Sequence, residues 1–129
     1  MPTLHRFEDL EAWQVSRKVV KRIYETTASE AFARDLDLVR QLRRAAVSMT
    51  ANIAEGFGRG IRNEFIHFLV ISLGSAREVQ NHLYIALDQN YISEKLFLGL
   101  YEEVDHASNL IGGLVRYLRK SNIKGIRYK

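Results

Sequence analysis

DLDLVRQLRRAAVSMTANIAEGFGRG, residues 35–60, is the stretch on which the fold turns. Leu38, Leu42, Ala45, Ala46, Met49 and Ile53 recur in it at spacings of three and four, which puts them on one face of a helix with 3.6 residues per turn. One sustained apolar stripe predicts a helix from about Asp35 to Phe57. The run Gly56-Phe57-Gly58-Arg59-Gly60 follows, offering positions able to take positive φ, as a C-cap and a tight turn require. Beside the stripe runs a polar line, Arg44, Ser48, Asn52 and Glu55, whose own helical spacing confines it to one face.

The same periodicity extends outward in both directions. Upstream, Leu10, Trp13, Val20, Ile23 and Tyr24 predict a helix from about Glu8 to Thr27, with Glu8, Asp9 and Glu11 in its first turn, where acidic groups complement the helix dipole. Downstream, Phe65, Phe68, Leu69, Ala76, Val79, Leu83 and Leu87 predict a helix from about Arg62 to Gln89, which Asn90 can end in the left-handed conformation. Ser93 is a good N-cap for a fourth helix carrying Leu96, Leu100, Val104, Leu110, Leu114 and Leu118. The only proline is Pro2, so nothing after it interrupts a helix. Short turns make sequence neighbours antiparallel. The expected fold is therefore all-α, an antiparallel up-down-up-down four-helix bundle over 1–129, with a longer link from about Ala28 to Arg34 and a basic tail over about 119–129.

Composition narrows the function. Apolar residues form 47% of the 129 and charged residues 26%, ordinary values for a globular domain with a core. The absence of cysteine excludes disulfides, thiolate chemistry and cysteine-based metal sites, and fits a reducing compartment. With no signal-like N-terminus and no long uncharged apolar run, the chain is expected in the cytoplasm and away from membranes. The net charge of +4 is concentrated at the end, where Arg116, Arg119, Lys120, Lys124, Arg127 and Lys129 occur without an acidic residue.

Two clusters invite a chemical reading. With a hairpin turn centred near Gly60, Arg44 falls opposite position 76, beside Ser75 and Glu78. An Arg44 to Glu78 ion pair is then expected within a polar network of Arg44, Ser48, Asn52, Glu55, Ser75 and Glu78. The favoured reading is a buried, satisfied network that fixes helix register, in which Glu78→Ala costs roughly 3 to 5 kcal/mol; the alternative is a face meeting another subunit or a ligand. Glu55 and Arg59, four apart, form a simple helix-end pair. The second cluster, Glu64-Phe-Ile-His67 and Glu103-Val-Asp-His106, matches the Glu-x-x-His spacing of di-iron bundles. Its register is wrong, since the two histidines fall about eleven residues apart in level, roughly 16 Å at about 1.5 Å per residue. No metal and no cofactor is expected, and no nucleophile elbow, phosphate loop or zinc motif is present. Candidate nucleic-acid contacts are Arg43, Arg59, Arg62 and the basic end, with Tyr117 and Tyr128 interleaved.

The run Gln41 to Arg59, together with Phe7-Glu8-Asp9-Leu10-Glu11-Ala12-Trp13-Gln14, Glu64-Phe65 and Gly74-Ser75-Ala76-Arg77-Glu78, resembles the signature of the 23S rRNA intervening sequence protein family, bacterial four-helix bundles. The resemblance spans nearly the whole chain. It implies the same bundle, a ring-shaped homopentamer and no known enzymatic activity. A related protein, the accessory variability determinant of diversity-generating retroelements, is a basic pentameric bundle that binds nucleic acid, and so makes RNA or DNA a candidate partner by analogy. One departure is Ile61, where the family usually has a serine or threonine cap.

Three functions follow as hypotheses. The first is a non-catalytic oligomeric scaffold binding structured RNA or DNA through repeated basic surfaces, where avidity compensates for modest charge. The second is a protein-interaction adaptor. The third is an enzyme using Arg44, Asn52, Glu55 and Glu78.

Overall fold

The computed structural model describes residues 5–121. A single 3-10 turn, Phe7–Asp9, precedes helix α1, Glu11–Thr27. The first helix therefore does not run unbroken from Glu8. Leu10 interrupts it in an extended conformation (φ −76°, ψ 122°), which turns its side chain into the core, and the Gln14 side chain donates from Nε2 to the Glu8 carbonyl at 2.8 Å across the break.

Between α1 and the next long helix lies a four-residue helix, α2, Glu30–Ala33, whose Phe32 is fully buried. Helix α3, Leu36–Arg59, starts where the Asp35 carboxylate accepts from the Leu38 amide at 3.1 Å, a side-chain cap that satisfies one of the orphan amides of a first turn. It runs past Phe57 and stops at Gly60, the only glycine of the predicted stop in the left-handed region (φ 74°). Helix α4, Arg62–Asp88, begins behind Ile61 with no side-chain cap, the consequence of having isoleucine there. Its far end closes at Asn90 (φ 61°), with the Tyr91 amide reaching back to the Ala86 carbonyl at 2.9 Å, a Schellman-type end. Helix α5, Glu94–Lys120, is capped by Ser93, whose hydroxyl accepts from the Leu96 amide at 3.1 Å.

The four long helices close a ring in space: α1 packs on α3, α3 on α4, α4 on α5, and α5 back on α1. Cross-helix partners fix antiparallel register. Ser48 meets Ser75, Ser72 donates to the Met49 carbonyl, Gln80 donates to Asp105 and Arg22 pairs with Glu103. This is the all-α up-down-up-down bundle expected from the sequence.

Its interior is divided along the bundle axis. One apolar cluster gathers Val19, Ile23, Phe32, Leu42, Met49, Leu83 and Val104; the other gathers Leu10, Ile53, Phe57, Phe65, Leu69, Ile111 and Leu118. Where they meet, three helices each contribute a buried serine: Ser16 from α1, Ser72 from α4 and Ser108 from α5. Small side chains let the helices draw together there. The Ser72 hydroxyl is satisfied by the Met49 carbonyl at 2.8 Å, whereas Ser16 Oγ has no hydrogen-bond partner among the described residues.

On α1 the buried stripe is Ala12, Ser16, Val19, Ile23 and Thr27. Trp13 and Val20 flank it and Tyr24 is exposed, so the expected stripe was rotated toward the larger side chains.

Candidate interaction surfaces

The polar line of α3 lies on the edge of its seam with α4. Asn52 donates from Nδ2 to the Ser48 carbonyl at 2.8 Å and to the Ser48 hydroxyl at 2.9 Å; that hydroxyl in turn sits 2.8 Å from Ser75 Oγ. These three side chains form a connected set, Ser75 buried and Ser48 and Asn52 half-buried. Glu55 turns outward instead, where it takes Arg59 at 2.7 Å.

The expected Arg44 to Glu78 ion pair is not formed. The hairpin register does bring positions 44 and 78 to nearly the same level, but both residues are exposed on the outer edges of their helices, where water solvates each charge. The Glu78 carboxylate lies 3.9 Å from Nε2 of the buried His82, one turn along α4. The network is thus not a buried ionic one, and the large cost expected for Glu78→Ala falls away. We expect Glu78→Ala to change unfolding free energy by no more than about 0.5 kcal/mol, as surface substitutions do. A chemical denaturation midpoint lowered by an amount equivalent to about 2 kcal/mol would contradict this placement.

A polar network absent from the sequence reading joins α4 to α5. Gln80, buried, receives Arg77 on its carbonyl oxygen at 2.6 Å and donates to Asp105 at 2.8 Å; Arg77 also lies 3.6 Å from Asp105. A glutamine at an inward helical position was the signal available for it.

The arginines singled out as nucleic-acid contacts are mostly engaged within the molecule. Arg43 stacks on Tyr24 at 4.4 Å and donates to the Thr27 hydroxyl at 2.9 Å. Arg59 pairs with Glu55, lies 3.7 Å from Glu64 and covers Phe68 at 5.1 Å; the hydrogen bond it donates to the Glu55 carboxylate raises its pKa above the ordinary arginine value. Arg62 donates to the Ser121 carbonyl, tying the start of α4 to the end of α5. The Arg116 guanidinium lies back along α5, so near Gly112 that a Cβ there would meet it at 3.4 Å. Arg119 and Lys120 are exposed in the last turn of α5, where positive charge complements the helix dipole. Lys124, Arg127, Tyr128 and Lys129 lie outside the described residues.

Two further surfaces stand out. A groove of about 400 Å³ between α1 and α5 is lined by Val15, Lys18, Lys21, Arg22, Glu25, Glu103 and His106. On α4, the least one-sided of the long helices, Val70, Ile71 and Ile85 face outward with Gly74 between them, and Val47 of α3 is exposed near the same level. Among the described residues no group of His, Asp and Glu is placed to hold a metal ion, and no helix is long and apolar enough to cross a membrane.

Comparison with known proteins places the chain in a family and gives solved structures of the same fold. The family described as 23S rRNA-intervening sequence protein matches residues 8–113. A crystal structure of a protein of unknown function from the S23 ribosomal protein family of Bacteroides thetaiotaomicron superposes with a TM-score of 0.74 at 22% identity, covering 81% of this chain and 98% of that one. At that identity the likeness concerns the fold. No curated protein matches the chain.

Proposed function

Because the chain belongs to the 23S rRNA-intervening sequence protein family, as the match over residues 8–113 establishes, we propose that it serves in the cytoplasm as a non-enzymatic scaffold, a homopentameric ring that binds structured RNA or DNA through basic surfaces repeated around it. The observation that carries the assembly is the outward face of α4. Val70, Ile71 and Ile85 expose two-fifths or more of their surface on a helix whose opposite side already fills the core. Val70 and Ile71 are adjacent and Val47 of α3 is exposed near their level, while Ile85 stands further along α4 beyond the exposed Glu78 and Asn81; grouped exposed apolar residues of this kind mark contact surfaces. The glycine among them, Gly74, has open space beyond it, which suits the close approach of another helix. A ring results when each subunit joins its neighbour through two different surfaces related by a closing rotation.

Repetition is also what lets a charge of +4 per chain suffice for nucleic acid, since several weak phosphate contacts on one body act by avidity. The apolar character of the α4 face favours, as a second reading, a protein adaptor with no nucleic-acid role.

Light scattering on the full chain, joined to a salt titration of binding to a labelled RNA and a matching DNA duplex, separates these. A mass near five chains with steeply salt-dependent binding supports the scaffold; a ring that binds neither supports the adaptor; a monomer undercuts the assembly itself. For the α4 face itself, Ile71→Glu is expected to break the assembly into smaller species without unfolding the subunit, because Ile71 is exposed within it. An unchanged mass for Ile71→Glu would place the contact elsewhere.

A further inference from the structure

We propose that the groove between α1 and α5 is a phosphate site, in which Lys18 and Lys21 on one wall and His106 on the other hold a phosphate group. The inference rests on the nucleic-acid reading above and names the surface that a strand's phosphates meet. Lys18 and Lys21 stand three apart on α1, which brings their stems to one face, about 5 to 6 Å apart at Cβ. Both are exposed, and among the described residues neither makes an ion pair, unlike Arg43 and Arg59, which are held by their own neighbours. Flexible ammonium groups of this kind close on a phosphate as point charges.

The rest of the lining favours an anion. Glu103, on the α5 wall, is taken by Arg22 in an ion pair that ties the two helices together, so its charge is already neutralised. Glu25, one turn beyond Lys21, is the remaining acidic group of the groove. His106 faces the lysines from α5 and supplies an N–H donor, while Val15 gives the groove an apolar side. The concavity lets donors approach one ligand from two helices, which a flat basic patch cannot do.

The test compares Lys18→Gln/Lys21→Gln with Arg40→Gln/Lys95→Gln, a control that removes the same charge from exposed positions outside the groove. Binding of a labelled duplex is measured across a salt series, and inorganic phosphate is titrated against each protein with the His106 ring followed by NMR. In the groove variant the slope of log affinity against log salt is expected to fall by about two, with affinity lower by roughly tenfold or more near 0.1 M salt, while the control stays near wild type. Equal losses in the two variants overturn the proposal even though the protein binds nucleic acid. If the wild type binds no nucleic acid, the scaffold reading fails and the phosphate arm decides. A saturable His106 shift that the groove variant loses then identifies a site for free phosphate, and no shift overturns the site.

Discussion

Replacing Phe32 by alanine is expected to lower the unfolding free energy by about 3 to 5 kcal/mol, the range for emptying a buried aromatic site. The ring has no exposed surface, although it stands on a four-residue helix in a link that the sequence presents as a loop. It packs at 5.2 Å from Tyr91 in the turn between α4 and α5, and the Tyr91 hydroxyl donates to Asp35, the cap of α3, at 3.0 Å. One side chain therefore fastens the α1–α3 connection to the turn between α4 and α5. Without it a cavity opens at the end of the bundle and α2 loses the only buried side chain it has. Thermal or denaturant unfolding of the purified variant measures the loss. A cost under about 1 kcal/mol would mean that the link contributes nothing to holding the helices.

The second large effect comes from the smallest side chain. At Gly56 an added Cβ would stand 2.7 Å from Phe68 Cβ and 3.0 Å from the Phe65 ring. Phe68 Cβ is fixed by the backbone of α4, so a methyl at position 56 forces α3 and α4 apart. Alanine improves helix propensity by about 1 kcal/mol over glycine. Overpacking outweighs this, and Gly56→Ala is expected to destabilise by about 1 to 3 kcal/mol. Gly58, two residues on in the same helix, has no such neighbour within 4 Å, so Gly58→Ala is expected to stabilise by about 0.5 to 1 kcal/mol. Denaturant midpoints that move in the same direction for both variants would refute the close-approach account.

These two residues show where the sequence was readable and where it was not. The α3 stripe is uniformly apolar, and every residue assigned to it is buried. Asn90 and Ser93 were legible because capping and left-handed ends depend on local chemistry alone. Gly56 was misread as part of a stop. A glycine that ends a helix and one that admits a neighbouring helix look alike until the partner is known, and the partner residues Phe65 and Phe68 belong to the next helix. On α1 the inward face is made largely of small or polar residues, while Trp13 and Tyr24 occupy the edges, so residue size pointed to the wrong phase. The hairpin register gave the level of Arg44 and Glu78 correctly but not their direction, since level follows from counting and direction from the rotation of each helix. The α1–α5 groove unites residues about eighty positions apart, and no local pattern announces it.

The band of serines between the two apolar clusters has a mechanical meaning. Ser16, Ser72 and Ser108 contribute little apolar contact where the halves of the core adjoin, so each half is a cooperative unit with its own share of all four long helices. Amide exchange is therefore expected to differ between the two ends of the bundle, with one half opening while the other stays closed. The half that loosens first sets which end of the molecule is free to reshape against a partner, and the other half keeps the helices in register while it does.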